Sequence, residues 1–315
     1  MRFLIYGAGA IGQSIGCLLG AQGHSVTLII RERFINPIKK SGLSVTGIYG
    51  DFHVDGTSLE LLSSLDNYVA HDFDYILITT KSYGTAQAVS EISRLDNCTC
   101  PVVSMQNGCG NVEQVNHQFG ADRSLGARVI TGFEIQQPAL IKITVSADDI
   151  HIGAGGSRTI SHSAQTLAET IDRAGLPCTA VEDINQSLFA KLLYNCALNP
   201  LGALLGVNYG ALSEHEDTRA VMNSVIEETF NVISALGGTI PWKSTAHYQD
   251  HFYQALLPAT YDHRSSMLQD LENNKPTEIE ALTGYVTSQG KIKGVSTPVC
   301  ELLTALIRCK EQLIS

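Results

Sequence analysis

The residues best suited to binding a nucleotide occur at the start of the chain. Gly7, Gly9 and Gly12 give the spacing G-x-G-x-x-G directly after the apolar run of residues 2–6 and before a helical pattern that begins at Gln13. In this spacing the first glycine permits a tight turn, the second lets a pyrophosphate approach the backbone, and the third lets the helix pack on the strand. The context predicts a dinucleotide site with phosphates at a helix N-terminus. The alternative is a glycine-rich turn in an unrelated α/β domain.

A basic residue follows the second predicted strand. Ser25–Ile30 is rich in β-branched residues and ends at Arg31, about 20 residues beyond the glycines, where this fold contacts the adenosine ribose. An acid there would bind the 2′-OH of NAD, whereas a guanidinium can hold a 2′-phosphate. We therefore predict NADP(H) as the cofactor. Two alternatives stay open: Glu32 could bind a ribose instead, and Arg31 could be a solvated charge at a strand end.

Polar residues also follow two later apolar strands. Phe73–Thr80 is followed by Lys81, and Pro101–Met105 is followed by Gln106 and Asn107. Ligands of open parallel sheets lie outside the carboxyl ends of the strands, so Lys81 and Asn107 are candidate cofactor contacts. A single residue of either type after a strand is often only part of a loop.

A second group of polar residues lies on a predicted helix. Lys191, Asn195 and Asn199 are four residues apart, so they share one slowly drifting face of a helix over Asn185–Leu198. The rest of the helix is apolar, and a polar stripe on a buried helix could line a cleft that holds a polar ligand. Pro200 predicts a kink or the end of the helix at that point. The alternative is a lysine that reaches solvent and two asparagines that cap neighbouring turns.

The remaining pattern predicts an α/β N-terminal domain of the Rossmann type and an all-α C-terminal domain. The sheet is expected to be mostly parallel and doubly wound, with antiparallel additions from residues 127–156. A small hairpin is expected over residues 42–56, a helix over Ser161–Ala174 and a last short strand over Cys178–Val181. The predicted domains are residues 1–183, which would bind NADP(H), and 184–315, which would carry substrate and catalysis.

Composition excludes several classes of function. The chain has 315 residues, 44% hydrophobic and 17% charged, with a formal net charge of −10, which disfavours binding to nucleic acid or an anionic membrane. Its eight cysteines form no C-x-x-C pattern, so we expect no metal site and reduced thiols in a cytoplasmic protein. No signal peptide is expected, and no apolar stretch approaches the roughly 18 residues of a membrane helix.

A third segment lies near the C-terminus. It contains Arg264–Asp270 and then Thr277, with Glu280 three residues later, a spacing that predicts a capping box. Glu278 has no part in that box. Thr297 and Pro298 then begin a final helix that we expect to be structural.

These separated motifs together resemble the ketopantoate reductase (2-dehydropantoate 2-reductase) family along nearly the whole chain. The resemblance implies an active site in a cleft between the two domains and NADPH-dependent reduction of a 2-keto acid. The matching pieces are Gly7 to Gly12, Arg31, Lys81, Gln106-Asn107-Gly108, Lys191 with Asn195 and Asn199-Pro200-Leu201, Ser265 to Asp270, and Thr277-Glu278.

The resemblance also implies roles for individual residues. Lys191 looks like the proton donor, and Glu278 like its partner or a contact to the cofactor ribose. An ammonium near the keto oxygen would stabilise the charge left by hydride attack and would deliver a proton. The substrate contacts would be Asn195, Asn199 and Ser266. The cofactor contacts would be Gly7, Ala8, Gly9, Ala10, Ile11, Gly12, Arg31, Lys81, Asn107 and Glu278.

Three positions on the substrate side depart from the family pattern. Tyr209 stands where an asparagine is usual, Gly202 where a threonine is common and His263 where an asparagine is frequent. A paralogue that reduces another 2-keto acid therefore remains an alternative. So do an opine-type or 3-hydroxy-acid dehydrogenase and a non-catalytic NADP(H) sensor. The apolar helices of the second domain leave a homodimer open, because they could be core or interface.

Overall fold

The chain forms two compact units. A computed structural model of the protein describes residues 1–66, 68, 72–95 and 98–314. The first unit comprises Met1–Asn107 with Asn111–Ile184, and the second comprises Gly108–Gly110 with Asn185–Ser315. The division falls one residue beyond the predicted end of the first domain. It also assigns Gly108–Gly110 to the second unit, whereas the sequence analysis placed this segment in the first.

The first unit is built on an eight-stranded sheet with the order β12-β11-β8-β7-β6-β1-β2-β5. Neighbouring strands are parallel except for β11, which is antiparallel to β8. The chain reverses its direction of progress across the sheet between β1 and β6, which is the switch point of a doubly wound fold. The strands are β1 Arg2–Tyr6, β2 Ser25–Ile29, β5 Leu59–Leu62, β6 Tyr75–Ile78, β7 Val102–Ser104, β8 Ser124–Arg128, β11 Ile150–Gly153 and β12 Cys178–Ala180.

The central strands are apolar on both sides because both faces of the sheet are covered. Phe3 and Ile5 of β1 belong to one buried cluster, and Leu4 and Tyr6 belong to another. Successive side chains of a strand point to opposite faces, so the two clusters lie on opposite sides of the sheet. The helices of this unit are α1 Ala10–Ala21, α2 Glu32–Ser41, α3 Thr85–Ile92, α4 Asn111–Phe119 and α5 His162–Arg173.

A second, four-stranded sheet corrects one prediction. Its order is β4-β3-β10-β9. The predicted hairpin over residues 42–56 is confirmed, because β3 and β4 pair in antiparallel fashion. The expected antiparallel addition to the main sheet from residues 127–156 is confirmed for β11, which pairs with β8. The hairpin of β9 and β10 instead pairs with β3, and its apolar residues Ile141 and Ile143 pack in the same cluster as Val45. These strands are β3 Leu43–Gly47, β4 Phe52–Val54, β9 Thr131–Gln137 and β10 Leu140–Ser146.

The described part of the second unit is helical. Its first and longest helix, α6, is apolar and long enough to span a membrane by length and composition alone, contrary to our expectation, but 67% of its apolar window is buried within the protein. That burial is the property of a core helix. The helices are α6 Ile184–Leu205, α7 Tyr209–Ser213, α8 Glu216–Ala235, α9 Thr245–His251, a π-helical turn Phe252–Leu256, α10 Leu257–Ala259, α11 Ser266–Glu272, α12 Thr283–Lys293 and α13 Pro298–Ile314.

Helix α6 does not end at Pro200, so of the two predicted alternatives the helix end was wrong, and the kink stays a prediction. The helix continues for five further residues to Leu205. A proline removes one backbone hydrogen bond, but the residues around it are deeply buried, and helical packing outweighs that loss. The helix stops at Gly206 instead, which has a φ of +71° and whose N–H donates to the carbonyl of Gly202 at 2.9 Å. Lys310 Nζ donates to the Ala203 carbonyl at 2.8 Å and so covers the end of the helix.

Candidate active site

Four predicted cofactor residues meet at one edge of the main sheet. The last residues of four adjacent parallel strands are in register: Ile29 of β2, Tyr6 of β1, Ile78 of β6 and Ser104 of β7. The carboxyl ends of these strands therefore lie side by side, at the switch point. The predicted contacts follow those ends within three residues, namely Gly7, Arg31, Lys81 and Asn107.

The glycine loop has the shape that its spacing predicts. Gly7 has a φ of +84°, and a Cβ there would lie 2.1 Å from Cγ2 of Thr80. At Gly12 a Cβ would lie 2.4 Å from Oγ1 of Thr79, so both outer glycines pack against the loop after β6. Gly9 is different, because only the Gly7 carbonyl comes within 4 Å of a Cβ placed there, at 3.9 Å. The middle glycine thus offers an open approach to the backbone.

The same loop leads directly into helix α1. Gly9 is the residue before the first turn, and its carbonyl accepts from Gln13 N at 2.9 Å. The first-turn N–H groups, which include those of Ala10, Ile11 and Gly12, have no acceptor within the helix and can bind an anion. The buried Gln13 side chain donates to the Ala8 carbonyl at 3.0 Å and fixes the loop.

Arg31 is exposed at the carboxyl end of β2. It is the residue before helix α2, and Glu32 lies in the first turn of that helix, also exposed. Both can therefore be reached by a ligand at the sheet edge. A second arginine, Arg33, is directed over the ring of Phe34 at 4.8 Å from its centroid.

Lys81 and Asn107 are both half-buried, and each has an interaction partner. Their loops are joined by buried polar side chains that the sequence analysis did not identify as functional. Gln106 was matched there only as part of a motif, and Thr85 and Asn111 were not singled out at all. Gln106 could have been identified from the sequence as a polar residue that directly follows an apolar strand and is therefore expected to be buried.

In the second unit, helix α6 carries the predicted stripe. Lys191 is half-buried, and the exposed fractions of Asn195 and Asn199 are 9% and 6%. Lys191 has an interaction partner. Cys196, Ala197 and Leu198 are fully buried beside this stripe.

Tyr209, which stands where an asparagine was expected, forms a hydrogen bond with Asn199 of the polar stripe on α6. Its hydroxyl donates to Oδ1 of Asn199 at 2.5 Å, and only 2% of the tyrosine is exposed. Burial raises the pKa of the Tyr209 hydroxyl, which keeps it a donor. The rings of Tyr209 and His263 lie 5.1 Å apart, and Tyr209 N donates to the His263 carbonyl at 3.0 Å. Asn208, one residue earlier, caps helix α7 through its side chain.

The serine pair at the start of α11 divides its tasks. Ser265 is buried, and its hydroxyl caps the helix by accepting from Leu268 N at 3.0 Å. Ser266 is exposed in the first turn and can meet a ligand. Ser265 therefore has a structural role as a helix cap, whereas the exposed Ser266 is accessible to a ligand.

The predicted capping box at Thr277 is wrong. The Thr277 hydroxyl accepts from Ile279 N at 3.2 Å, and its own N–H donates to the Glu311 carboxylate at 2.6 Å. Glu280 instead forms a two-point ion pair with the guanidinium of Arg308. A fixed bidentate partner outcompetes a single bond to a backbone N–H.

Glu278 precedes a short 3₁₀ turn over Ile279–Ala281. Its carbonyl accepts from Ala281 N at 3.0 Å, and only 6% of the residue is exposed. It has an interaction partner, as a buried carboxylate requires.

Comparison with known proteins identifies the family of the chain. Residues 3–157 match the family described as ketopantoate reductase PanE/ApbA, and residues 183–311 match its C-terminal part. A protein of Aquifex aeolicus named 2-dehydropantoate 2-reductase is 37% identical over 311 residues, which are 99% of this chain and 97% of that protein. The chain belongs to the ketopantoate reductase family.

Other ketopantoate reductase relatives are similar over their full length. The 2-dehydropantoate 2-reductase of Pyrococcus horikoshii is 31% identical, over 99% of this chain and 98% of that protein. A crystal structure of a PanE/ApbA family ketopantoate reductase from Ralstonia eutropha superposes with a TM-score of 0.87 at 28% identity, covering 100% and 99% of the two chains. A D-mandelate dehydrogenase solved with NADH shares the fold, with a TM-score of 0.85 at 23% identity and coverage of 100% and 99%.

The sheet edge of this ketopantoate reductase family member fits a nicotinamide dinucleotide, as expected of a family of NAD(P)H-dependent reductases. Gly9 leaves the backbone open to a pyrophosphate, and the start of α1 supplies N–H donors. Arg31 and Lys81 supply positive charge in a chain whose net charge is −10. Among the described residues, no group of three or more His, Cys, Asp or Glu could hold a metal ion.

Proposed function

We propose that this protein reduces 2-dehydropantoate (ketopantoate) to pantoate with NADPH, a step of pantothenate and coenzyme A biosynthesis. The observation that carries the proposal is 37% identity over nearly the full length to a protein named 2-dehydropantoate 2-reductase. The sheet edge with Gly7, Arg31, Lys81 and Asn107 supports it from the side of the cofactor. The eight cysteines, all of which lie in the described part of the chain and outside any disulfide, support a reducing, cytoplasmic location.

The chemistry of the side chains indicates a separate role for each residue in the reaction. When bound, the cofactor supplies the hydride that reduces the keto carbon. Lys191 stabilises the charge that develops on the keto oxygen and donates a proton to it from Nζ. Glu278 holds the lysine in position as the partner of its ammonium group. The alternative role for Glu278, which the resemblance also implies, is a contact with the cofactor ribose.

The substrate is held by neutral donors. Asn195, Asn199 and Ser266 can donate hydrogen bonds to the hydroxyl, keto or carboxylate oxygens of a 2-keto acid without adding charge. Asn199 is already restricted, because its Oδ1 accepts from Tyr209. Its Nδ2 is therefore the atom that we assign to the substrate.

For the cofactor we propose NADPH rather than NADH. The exposed guanidinium of Arg31 at the end of β2 can form a charged, two-point contact with a 2′-phosphate. Glu32 beside it would favour a ribose hydroxyl, so the balance of these two residues sets the preference.

A second candidate function is reduction of another 2-keto acid. It is favoured by Tyr209, since its bulk and its bond to Asn199 change the substrate side of the second unit. In that case the cofactor chemistry is the same and only the side chain of the acid differs.

Initial rates of NADPH oxidation distinguish these functions. We would measure ketopantoate beside a panel of branched and aromatic 2-keto acids, with NADH as the cofactor control. A kcat/KM of about 10⁴ M⁻¹s⁻¹ or more for ketopantoate, above that for the other acids, is expected. Strong turnover of another acid with weak turnover of ketopantoate would replace the substrate. NADPH binding without turnover of any acid would contradict the enzymatic function and favour a sensor.

A further inference from the structure

The two loops that carry Lys81 and Asn107 are joined by a buried chain of polar side chains. Its central member is Gln106, at the carboxyl end of β7, with an exposed fraction of 5%. Its Nε2 lies 2.7 Å from Oγ1 of Thr85, 3.0 Å from Oγ1 of Thr80 and 3.3 Å from the Lys81 carbonyl. One carboxamide from the loop after β7 thus contacts three groups of the segment after β6.

The series of hydrogen bonds continues from Thr85 to the backbone of Asn107. Oγ1 of Thr85 lies 2.8 Å from Oδ1 of Asn111, and Nδ2 of Asn111 donates to the Asn107 carbonyl at 3.0 Å. Thr85 is fully buried and Asn111 is 2% exposed. We call Gln106, Thr85 and Asn111 the polar bridge. It fixes the backbone carbonyls of Lys81 and of Asn107, the two residues proposed to contact the cofactor.

The donors and acceptors of the polar bridge determine how the Gln106 carboxamide and the Thr85 hydroxyl are oriented. Oε1 of Gln106 accepts from Ser104 Oγ at 3.1 Å, so the carboxamide is oriented with its NH₂ group toward Thr80 and Thr85. The Thr85 hydroxyl accepts from Gln106 and donates onward to Ser82 or Asn111. An apolar side chain at Thr85 would remove the shortest hydrogen bond of Gln106 and the donor to Oδ1 of Asn111, and such losses are unfavourable in a low-dielectric interior.

We propose that Gln106, Thr85 and Asn111 are positioning residues, whose hydrogen bonds hold Lys81 and Asn107 in the geometry that binds the nicotinamide dinucleotide. This inference rests on the proposed function, because it takes Lys81 and Asn107 as cofactor contacts. Preorganised loops bind a ligand more tightly because less ordering is required on binding. The bridge would therefore act on cofactor affinity before it acts on the keto acid.

The test compares Thr85→Val, which removes the hydroxyl and keeps the shape, with Thr85→Ser, which restores a hydroxyl. Thr170→Val is the matched control: this threonine of α5 is also buried, but its hydroxyl contacts the Thr166 carbonyl at 2.7 Å and Sδ of Met1 at 3.7 Å, both away from the loops of Lys81 and Asn107. Lys81→Ala and Asn107→Ala are measured in parallel. The readouts are the NADPH Kd from cofactor fluorescence without keto acid, the keto acid KM and the Tm.

Thr85→Val should raise the NADPH Kd about tenfold, the scale of a broken buried hydrogen-bond network, with a keto acid KM within about twofold of wild type. Thr85→Ser should bind as wild type does, and Thr170→Val should lower the Tm without weakening binding. If Lys81→Ala and Asn107→Ala weaken binding but Thr85→Val only lowers the Tm, the bridge is structural and the inference is overturned while the proposed function stands. If neither alanine variant changes the Kd, the proposed cofactor contacts fail, and the inference fails with them.

Discussion

Arg31 is the residue on which we propose that the choice of cofactor depends. Arg31→Ala should raise the NADPH Kd about 10–100-fold, because a charge-assisted two-point contact is lost, and should leave the NADH Kd nearly unchanged. Cofactor fluorescence titrations with both nucleotides measure this. Arg33→Ala is the matched control, since that neighbouring guanidinium is directed over the ring of Phe34. Equal losses for NADPH and NADH would show that Arg31 does not recognise the 2′-phosphate.

Tyr209 is the residue that most alters the substrate side. Tyr209→Phe keeps the ring but frees Oδ1 of Asn199, so kcat/KM for the keto acid should fall about 5–10-fold through KM, on the scale of one buried hydrogen bond. Tyr194→Phe is the control, because its hydroxyl bonds Thr260 at 2.6 Å instead. Steady-state kinetics with saturating NADPH separate the two. The same loss in both variants would mean that Asn199 is not oriented by Tyr209.

Cys98, which lies outside the proposed site, has a thiol with a lowered pKa. Its Sγ lies 3.6 Å from that of Cys100, and this hydrogen bond lowers the pKa of the Cys98 thiol to about 6, while burial acts in the opposite direction. The thiolate is the nucleophile, so alkylation of Cys98 should rise between about pH 5 and pH 7 and then level off. In Cys100→Ala the rise should continue to higher pH. Peptide mass spectrometry after iodoacetamide treatment gives the rate, with exposed Cys309 as internal reference. A rate at Cys98 that is still rising steeply above pH 8 would contradict the lowered pKa.

At the scale of elements, the sequence was most informative where the pattern is local. The strand, glycine loop and helix of residues 2–21 were predictable because each glycine has a separate steric task, and the neighbouring strand ends follow from the parallel sheet. The pairing of β10 with β3 was not predictable, since the partners are far apart in sequence and alternation does not specify them.

A predicted helix end at Pro200 and a predicted capping box at Thr277 failed for the same kind of reason. Helix α6 continues through Pro200 because the residues around the proline are buried. Glu280 pairs with Arg308 of α13 instead of bonding in the predicted capping box. Both outcomes depend on tertiary contacts that local propensity does not contain. In the candidate site, residue types were predictable, but the bond between Tyr209 and Asn199 was not.

The end of α6 provides a stability test at this scale. Gly206→Ala should destabilise the protein by about 1 kcal/mol, because a residue with a Cβ is strained at a φ of +71°. Gly202→Ala, within the same helix, should be neutral or stabilising by up to about 1 kcal/mol, since the new Cβ would lie no closer than 3.4 Å to the Val207 carbonyl. Urea unfolding of the two variants measures the difference. A Gly206→Ala variant as stable as Gly202→Ala would contradict the glycine-determined helix end.

At the scale of the whole molecule, an acidic protein is proposed to bind two anions. The net charge of −10 opposes the approach of both NADPH and a keto acid, so positive side chains at the binding residues must outweigh it locally. Arg31 and Lys81 provide such charge in the first unit, and Lys191 does so in the second. Under the proposed function, we therefore expect binding of both anions to depend on these few cations.

The most direct test of the account is the rate of a single turnover. Protein loaded with NADPH is mixed with saturating ketopantoate, and cofactor oxidation is followed for the wild type and for Lys191→Ala. The wild type should oxidise its bound NADPH, and Lys191→Ala should do so about 10²–10⁴-fold more slowly while still binding NADPH, as expected for loss of a general acid. A wild-type protein that leaves NADPH unchanged, or a Lys191→Ala variant that reacts at the wild-type rate, would contradict it.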